Sequence, residues 1–222
     1  LRRQRQMCIR DRHNATEYHD LMENLNIGKQ SIKREKFFSN FNFKGLKVLE
    51  IGVGQGYNLE FYKNAKAVVG IDINTSMLDI CRREIISQGL KKKVSIVEWD
   101  ARLLYTEFVG KFDVVIMTYT LSGAPNQEKI LENVIKYCKK GGIIGILDWA
   151  TLFRGNKYFK DNKLVGFFQV LKNKLNYKKT GFSNHINPWN LIFDNRDFIK
   201  IIKNEKSDNY DEDYMNLILQ KK

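Results

Sequence analysis

Three carboxylates stand at intervals in the first half of the sequence, each closing a short apolar run. They are Glu50 in Val48-Leu49-Glu50-Ile51, Asp72 in Val68-Val69-Gly70-Ile71-Asp72, and Asp100 in Val97-Glu98-Trp99-Asp100-Ala101. Between the first two lies Gly52-Val53-Gly54-Gln55-Gly56. Glycines at alternate positions let a backbone turn sharply and approach a ligand that a Cβ would exclude. A dinucleotide fingerprint would need Gly-x-Gly-x-x-Gly, but the third position is Tyr57 counted from Gly52 and Leu59 counted from Gly54. A phosphate-binding loop would need Gly-Lys-Ser or Gly-Lys-Thr after its spacer, and none follows. Glu50 discriminates further, because a carboxylate at a strand tip repels a pyrophosphate and pairs with an ammonium group. Asp72 lies 20 residues after Gly52, where an acid accepts hydrogen bonds from both ribose hydroxyls. Asp100 follows the next apolar run, where a carboxylate can take the exocyclic amine of adenine. Singly, Glu50 reads equally as a helix cap and Asp72 or Asp100 as a strand terminator. Together they fit a ligand with a cationic end, a ribose and an adenine.

S-adenosylmethionine has those three parts. At these residues the sequence resembles the class I S-adenosylmethionine-dependent methyltransferases. Within them it is similar to the small-molecule group that includes ubiquinone and menaquinone biosynthesis enzymes and phospholipid N-methyltransferases. The likeness covers about residues 44 to 149. It implies a Rossmann-like, doubly wound α/β sheet of seven strands, the last antiparallel. It also implies that Glu50, Gly52, Gly54 and Gly56 approach the methionine end, that Asp72 holds the ribose with Ile73 and Met77 bordering the adenine, and that Asp100 and Ala101 form the adenine edge. The run from Phe112 to Leu121 matches the family's fourth-strand motif, which places Thr118 beside the methionine end. Trp99 stands where the family usually has a small residue, so a different adenine rim is expected.

A sulfonium methyl is reactive without help, so the protein's main task is to align the acceptor and exclude water. A base is optional: a neutral amine needs none, whereas a hydroxyl benefits from one. Candidates are Asp148 at the tip of the fifth strand, His185, and Tyr18 or His19. Tyr18, Tyr119 and His185 are the candidate substrate-pocket residues. The plainer readings are that His185 is a surface or packing histidine and that Tyr18 and His19 belong to a covering helix. Methyltransferases of this fold that act on base amines carry an Asn or Asp followed by Pro-Pro-Tyr after the fourth strand, whereas this chain has Thr118-Tyr119-Thr120-Leu121. Asn187-Pro188-Trp189 comes about 70 residues too late for that role. Base methylation is therefore disfavoured, and the expected acceptor is a small molecule, hydrophobic or lipid-like. An RNA or protein methyltransferase and a non-catalytic cofactor-binding regulator are the alternatives.

The elements that must position these residues follow a strand, turn, helix rhythm. Residues 16 to 38 read as two short helices broken at Gly28. Strands are predicted at Lys47 to Ile51, Ala67 to Ile71, Val94 to Glu98, Asp113 to Thr118 and, opened by Gly141-Gly142, Ile143 to Leu147. Helices are predicted at Leu59 to Asn64, Ser76 to Gln88 and Gln127 to Cys138. Near-continuous apolar strands alternating with amphipathic helices indicate a parallel sheet covered on both faces. Residues 150 to 195 interleave phenylalanines with eight Lys or Arg, predicting a helical insertion that serves as a substrate lid. Two last strands, Phe198 to Ile202 and Tyr214 to Leu219, flank a polar hairpin loop.

The formal charge of the 222 residues is +13, which at first suggests nucleic acid or an anionic membrane. Its distribution is uneven. Residues 1 to 12 carry +4, residues 13 to 149 only +3, residues 150 to 206 carry +8, and the remainder is at 2 negative. The first twelve residues resemble translated sequencing-adapter read-through and are set apart from fold reasoning. Residues 13 to 43 then form N-terminal covering helices and residues 44 to 222 the catalytic domain with its lid. The basic lid could meet anionic lipid or be merely solvated. Cys8, Cys81 and Cys138 are too scattered for a disulfide framework or zinc cluster, and no metal site is encoded. No run approaches a membrane span or secretory signal, so a cytoplasmic monomer or homodimer is expected, at most peripheral to a membrane.

Overall fold

The apolar runs become the strands of a single sheet. The computed structural model describes residues 27–149, 192, 194–206 and 214–222. Its elements are helix α1 (Ile27–Phe38), β1 (Lys47–Ile51), a 3-10 turn (Leu59–Tyr62), β2 (Ala67–Asp72), α2 (Thr75–Ser87), β3 (Val94–Glu98), β4 (Phe112–Thr118), α3 (Gln127–Tyr137), β5 (Cys138–Trp149), β6 (Ile199–Lys206) and β7 (Tyr214–Lys221). The strand order is β3-β2-β1-β4-β5-β7-β6. Strands β1 to β5 pair in parallel, and β7 lies antiparallel to both β5 and β6. This is the expected seven-stranded sheet with its last strand reversed. The chain order reverses between β1 and β4, and in open α/β sheets the crevice beyond such a switch point receives ligands.

The two sheet faces carry separate cores. One packs Leu131, Val134, Ile135 and Tyr137 of α3 against the sheet and Leu217 and Leu219 of β7. The other packs Phe37 and Phe38 of α1 and Leu78, Cys81 and Ile85 of α2. The aromatic run Phe37, Phe38, Phe41, Phe43 fastens α1 to the first connection, with Phe38 stacked on Phe61 at 4.2 Å between ring centres. Gly145 on β5 provides the flat seat: a Cβ there would lie 2.6 Å from Phe41 and 2.9 Å from Phe37. Gly145→Ala is therefore expected to be overpacked by about 1–3 kcal/mol. A thermal melt should show the midpoint falling by roughly 3–10 °C.

Several boundaries differ from expectation. The break at Gly28 is instead the first turn of α1; residues 1 to 26, with the first predicted helix, lie outside the described residues. The helix predicted from Leu59 to Asn64 is a four-residue 3-10 turn. Its N-cap residue, Asn58, does not cap it, because the amide is committed elsewhere. Strand β5 starts at Cys138 and contains Gly141 and Gly142, the register to β4 shifting between Phe112 and Val114. The last hairpin is longer than predicted, with β6 running to Lys206. The predicted lid at 150 to 195 is described only at Ile192, Asp194 and Asn195.

Candidate active site

The glycine loop needs its glycines. Gly52, Gly54 and Gly56 all have left-handed backbone angles, with φ of 72°, 54° and 91°, a region costly for residues with a Cβ. Space is also restricted: a Cβ on Gly52 would lie 2.3 Å from Thr120 Oγ1, and one on Gly56 2.8 Å from Leu59. The loop is tied to the tip of β2, where Gly52 and Val53 donate their N–H groups to the carbonyl of Ile71. Gly54 donates to Asp72 Oδ2 at 2.9 Å, and Asp72 Oδ1 accepts the N–H of Asn74 at 3.0 Å. Asp72 is thus buried at the hinge between the glycine loop and α2. Asn74 starts α2 by accepting the N–H of Met77.

Glu50 is buried on β1, bordered in register by Gly70 of β2 and Ile116 of β4. Asn58 donates to its carboxylate at 2.5 Å and to Thr118 Oγ1, at the end of β4, at 2.9 Å. Arg34, reaching in from α1, donates through one terminal nitrogen to Asn58 Oδ1 at 2.6 Å and to Thr118 Oγ1 at 2.8 Å. Its guanidinium faces the rings of Tyr119, at 4.9 Å, and Tyr57, at 5.8 Å. Burial, and then the adjacent Glu50 charge, push the Tyr62 phenol well above its ordinary range, so it stays a neutral neighbour of that carboxylate. One negative and one positive side chain therefore flank a single amide at the sheet's crevice.

Immediately after β4 the backbone of Tyr119 is left-handed, with φ of 51°. A bulky residue in that conformation is strained and persists only when its surroundings impose it. Here Tyr119 N–H donates to the carbonyl of Leu147, and Asp148 Oδ2 accepts the N–H groups of Leu121 and Ser122 at 2.7 and 3.3 Å. Asp148 was expected as a base in the pocket, but its side chain is fully buried and engaged with that turn. Its geometry is that of a residue positioning Tyr119 through the backbone.

At the adenine side, Asp100 is held by a two-pronged contact from Arg102, whose Nη2 lies 2.5 Å from Oδ2 and whose Nε lies 2.9 Å from Oδ1. Burial pushes this carboxyl upward, but the hydrogen bonds and charge of Arg102 prevail and hold it below its ordinary value. Asn133 fixes Ala101 by donating to its carbonyl at 2.9 Å. Ile73 is exposed beside Asp72, whereas Met77, in the first turn of α2, is completely buried and offers no surface to an adenine rim. Trp99 turns its indole away to donate to the Leu103 carbonyl and pack edge-on against Tyr105.

The structure thus brings together Glu50, the three glycines, Asp72, Thr118 and Tyr119, with Asp100 and Ala101 following the neighbouring β3. Tyr18, His19 and His185 lie outside the described residues. Sequence reasoning missed Arg34, Asn58 and Thr120. Asn58 sits at the end of the glycine motif and was legible as part of it. Arg34 is the one arginine among the lysines of α1, and arginine is the residue suited to several hydrogen bonds at a partly buried site. Among the described residues no cluster of metal-ligating side chains occurs, and no helix is long and apolar enough to cross a membrane.

Comparison with known proteins follows the same geometry. A family profile described as a methyltransferase domain matches residues 42–180. The chain is 33% identical over 139 residues to a phosphatidylethanolamine N-methyltransferase of Cereibacter sphaeroides, covering 62% of this chain and 68% of that protein. It is 31% identical over 138 residues to a demethylmenaquinone methyltransferase of Lactobacillus johnsonii, covering 59% of this chain and 56% of that one. Among solved structures, the YcgJ protein of Bacillus subtilis superposes with a TM-score of 0.66 over 85% of this chain and 97% of its own, at 14% identity. That last likeness concerns the fold alone.

Proposed function

This chain belongs to the methyltransferase domain family, and from that premise we propose that it transfers a methyl group from S-adenosylmethionine to a small hydrophobic or lipid-like acceptor. The observation that carries the reading is the meeting of a three-glycine, left-handed loop with Glu50 and Asp72 at the sheet's switch point. The cradle fits the cofactor on two counts. All three glycines hold left-handed backbone angles, and at Gly52 and Gly56 a Cβ would collide with Thr120 and Leu59, so the loop presents bare backbone; the flanking acids match a ligand with an ammonium group and ribose hydroxyls but no phosphate. The two curated relatives are named for a phospholipid and a quinone precursor, which supports an apolar acceptor.

When bound, S-adenosylmethionine supplies a methyl group already activated by its sulfonium. The chain's own residues would then orient and enclose it. Glu50 holds the ammonium in a buried setting where a charge-assisted hydrogen bond is strong. Asp72 accepts the ribose hydroxyls while its bond to Gly54 keeps the loop closed. Asp100, fixed as a carboxylate by Arg102, and the Ala101 segment, fixed by Asn133, receive the adenine edge. Thr118 and Tyr119 lie at the methionine end, where the acceptor must approach, and Asp148 locks the turn that aims Tyr119. Alignment and exclusion of water are the catalytic contributions this arrangement offers.

The test is methyl transfer from labelled S-adenosylmethionine into a fractionated cell extract. Label is expected in the lipid-soluble fraction. Label confined to RNA or protein would overturn the acceptor assignment. Binding without transfer into any fraction would favour a regulatory protein.

A further inference from the structure

We propose that the end of the sheet opposite the cofactor crevice is a docking row for single-stranded RNA. The inference goes beyond the methyl-transfer reading and does not depend on it. Charge is sorted along the strand axis. Glu50, Asp72 and Asp100 lie at or beside the leaving ends of β1, β2 and β3. At the other end every strand has a lysine at or beside it. In sheet order these are Lys93 for β3, Lys66 for β2, Lys47 for β1, Lys111 for β4, Lys140 for β5, Lys222 for the antiparallel β7 and Lys200 for β6. All are exposed except the half-buried Lys93. The net +3 of residues 13 to 149 conceals this segregation, because acids at one end cancel lysines at the other.

The lysines make one continuous row because neighbouring elements are tied together at this end. Lys66 donates its N–H to the Leu46 carbonyl just before β1, and the Lys93 carbonyl accepts the N–H of Val68 on β2. Lys111 donates its N–H to the carbonyl of Tyr137, the last residue of α3. Lys221 ties β7 to β5 by donating its Nζ to the Cys138 carbonyl at 2.7 Å, and Lys222 donates its N–H to the Phe198 carbonyl just before β6. Asp113, on the first turn of this row, is already taken by Lys139 at 2.5 Å and by the N–H of Lys47. Among the described residues, no carboxylate lies within ion-pair distance of Lys66, Lys111, Lys140 or Lys200. A row of cations without counter-ions raises the local positive potential and draws polyanions.

Shape selects among polyanions. Six strand spacings of about 4.8 Å make the row roughly 29 Å long. Each strand is rotated about 20–25° against its neighbour, so the row winds. A flat bilayer meets only part of a winding row, whereas a flexible single strand of phosphates follows it. Phe198, beside Lys222, is 59% exposed and leaves an aromatic ring open to stacking with a base. Lysines meet phosphates as point charges and do not read sequence, so the binding is expected to tolerate sequence. The crevice lies at the far end of the strands, so RNA held here is docked and is not the methyl acceptor.

Fluorescence anisotropy of the full chain with a labelled single-stranded RNA of about 12 nucleotides tests this. Replacing Lys66, Lys111, Lys140 and Lys200 together by Gln should weaken binding about 10-fold or more and make the slope of log affinity against log salt shallower by about 3. A control with Lys172, Lys174, Lys178 and Lys179 replaced by Gln has the same net charge and should stay within about threefold of the unmodified chain. Phe198→Ala should weaken RNA binding about fivefold or more while leaving the affinity for inorganic polyphosphate unchanged. Flotation with phosphatidylglycerol vesicles is the companion arm. An unmodified chain that binds no RNA at low salt overturns the proposal. Equal loss in the two lysine variants overturns it too, since net charge alone then decides. If the row variant loses vesicle flotation but keeps its RNA affinity, the row belongs to lipid and the proposal falls. If Phe198→Ala changes neither RNA nor polyphosphate binding, the row takes any polyphosphate and the assignment to RNA falls.

Discussion

Asp72→Ala is expected to abolish detectable methyl transfer and to weaken S-adenosylmethionine binding by about 100-fold or more. The magnitude follows from the two tasks of one buried carboxylate. It holds the glycine loop through the N–H of Gly54 and the start of α2 through the N–H of Asn74, and it is the proposed acceptor for the ribose. Each charge-assisted hydrogen bond of this kind is worth roughly 1.5–3 kcal/mol, and removing the acceptor leaves a buried donor unsatisfied. A denaturant melt should register the structural share and calorimetry the binding share. Asp72→Asn keeps an acceptor oxygen, so it should recover more of the stability than of the affinity. Wild-type binding by Asp72→Ala would remove Asp72 from the site.

Gly52→Ala is expected to have a comparable effect by a different route. The substitution asks a residue with a Cβ to adopt a φ of 72° and to place that carbon 2.3 Å from Thr120 Oγ1. The conformation alone costs about 1 kcal/mol, and the collision forces either Thr120 or the loop to move. Thr120 hydrogen-bonds the carbonyls of Ile51 and Thr118, which fixes both strand tips, so displacement spreads to Glu50 and Thr118. Binding of S-adenosylmethionine should become too weak to measure while the chain still folds cooperatively. Gly52→Ala combined with Thr120→Ser removes the methyl group but leaves the hydroxyl in place, and should restore little. Retained affinity in Gly52→Ala would mean that this loop does not approach the ligand.

The parts of this fold that were legible in the sequence are those governed by local pattern. The strands β1 to β4 and helix α2 emerged near their observed bounds because each is an apolar run or an amphipathic period closed by a glycine, an acid or Asn74. The acids and glycines were legible for the same reason: their spacing is set within one strand-turn-helix unit. Misreadings came where a distant contact overrode the local signal. Leu59 to Asn64 reads as a helix, but the Asn58 amide before it is drawn to Glu50 and Thr118 instead of capping it, leaving a short 3-10 turn. Gly141 and Gly142 read as a strand opening, but pairing with β4 carries the strand through them. Met77 reads as a rim residue, but the helix turn places it inward. Asp148 reads as a base because it ends a strand; only the fold reveals that the Leu121 and Ser122 amides reach it. Arg34 was illegible for a similar reason, since nothing in α1 says that its third turn lies over the tips of β1 and β4.

The crevice between β1 and β4 is the proposed S-adenosylmethionine site. Titration of the unmodified full chain with S-adenosylmethionine, followed by heat, tests it most directly. Saturable binding of one ligand per chain is expected, weakened about 100-fold or more by Asp72→Ala and competed by the demethylated product. Absence of heat at every accessible concentration, with no accompanying rise in thermal midpoint, would contradict it.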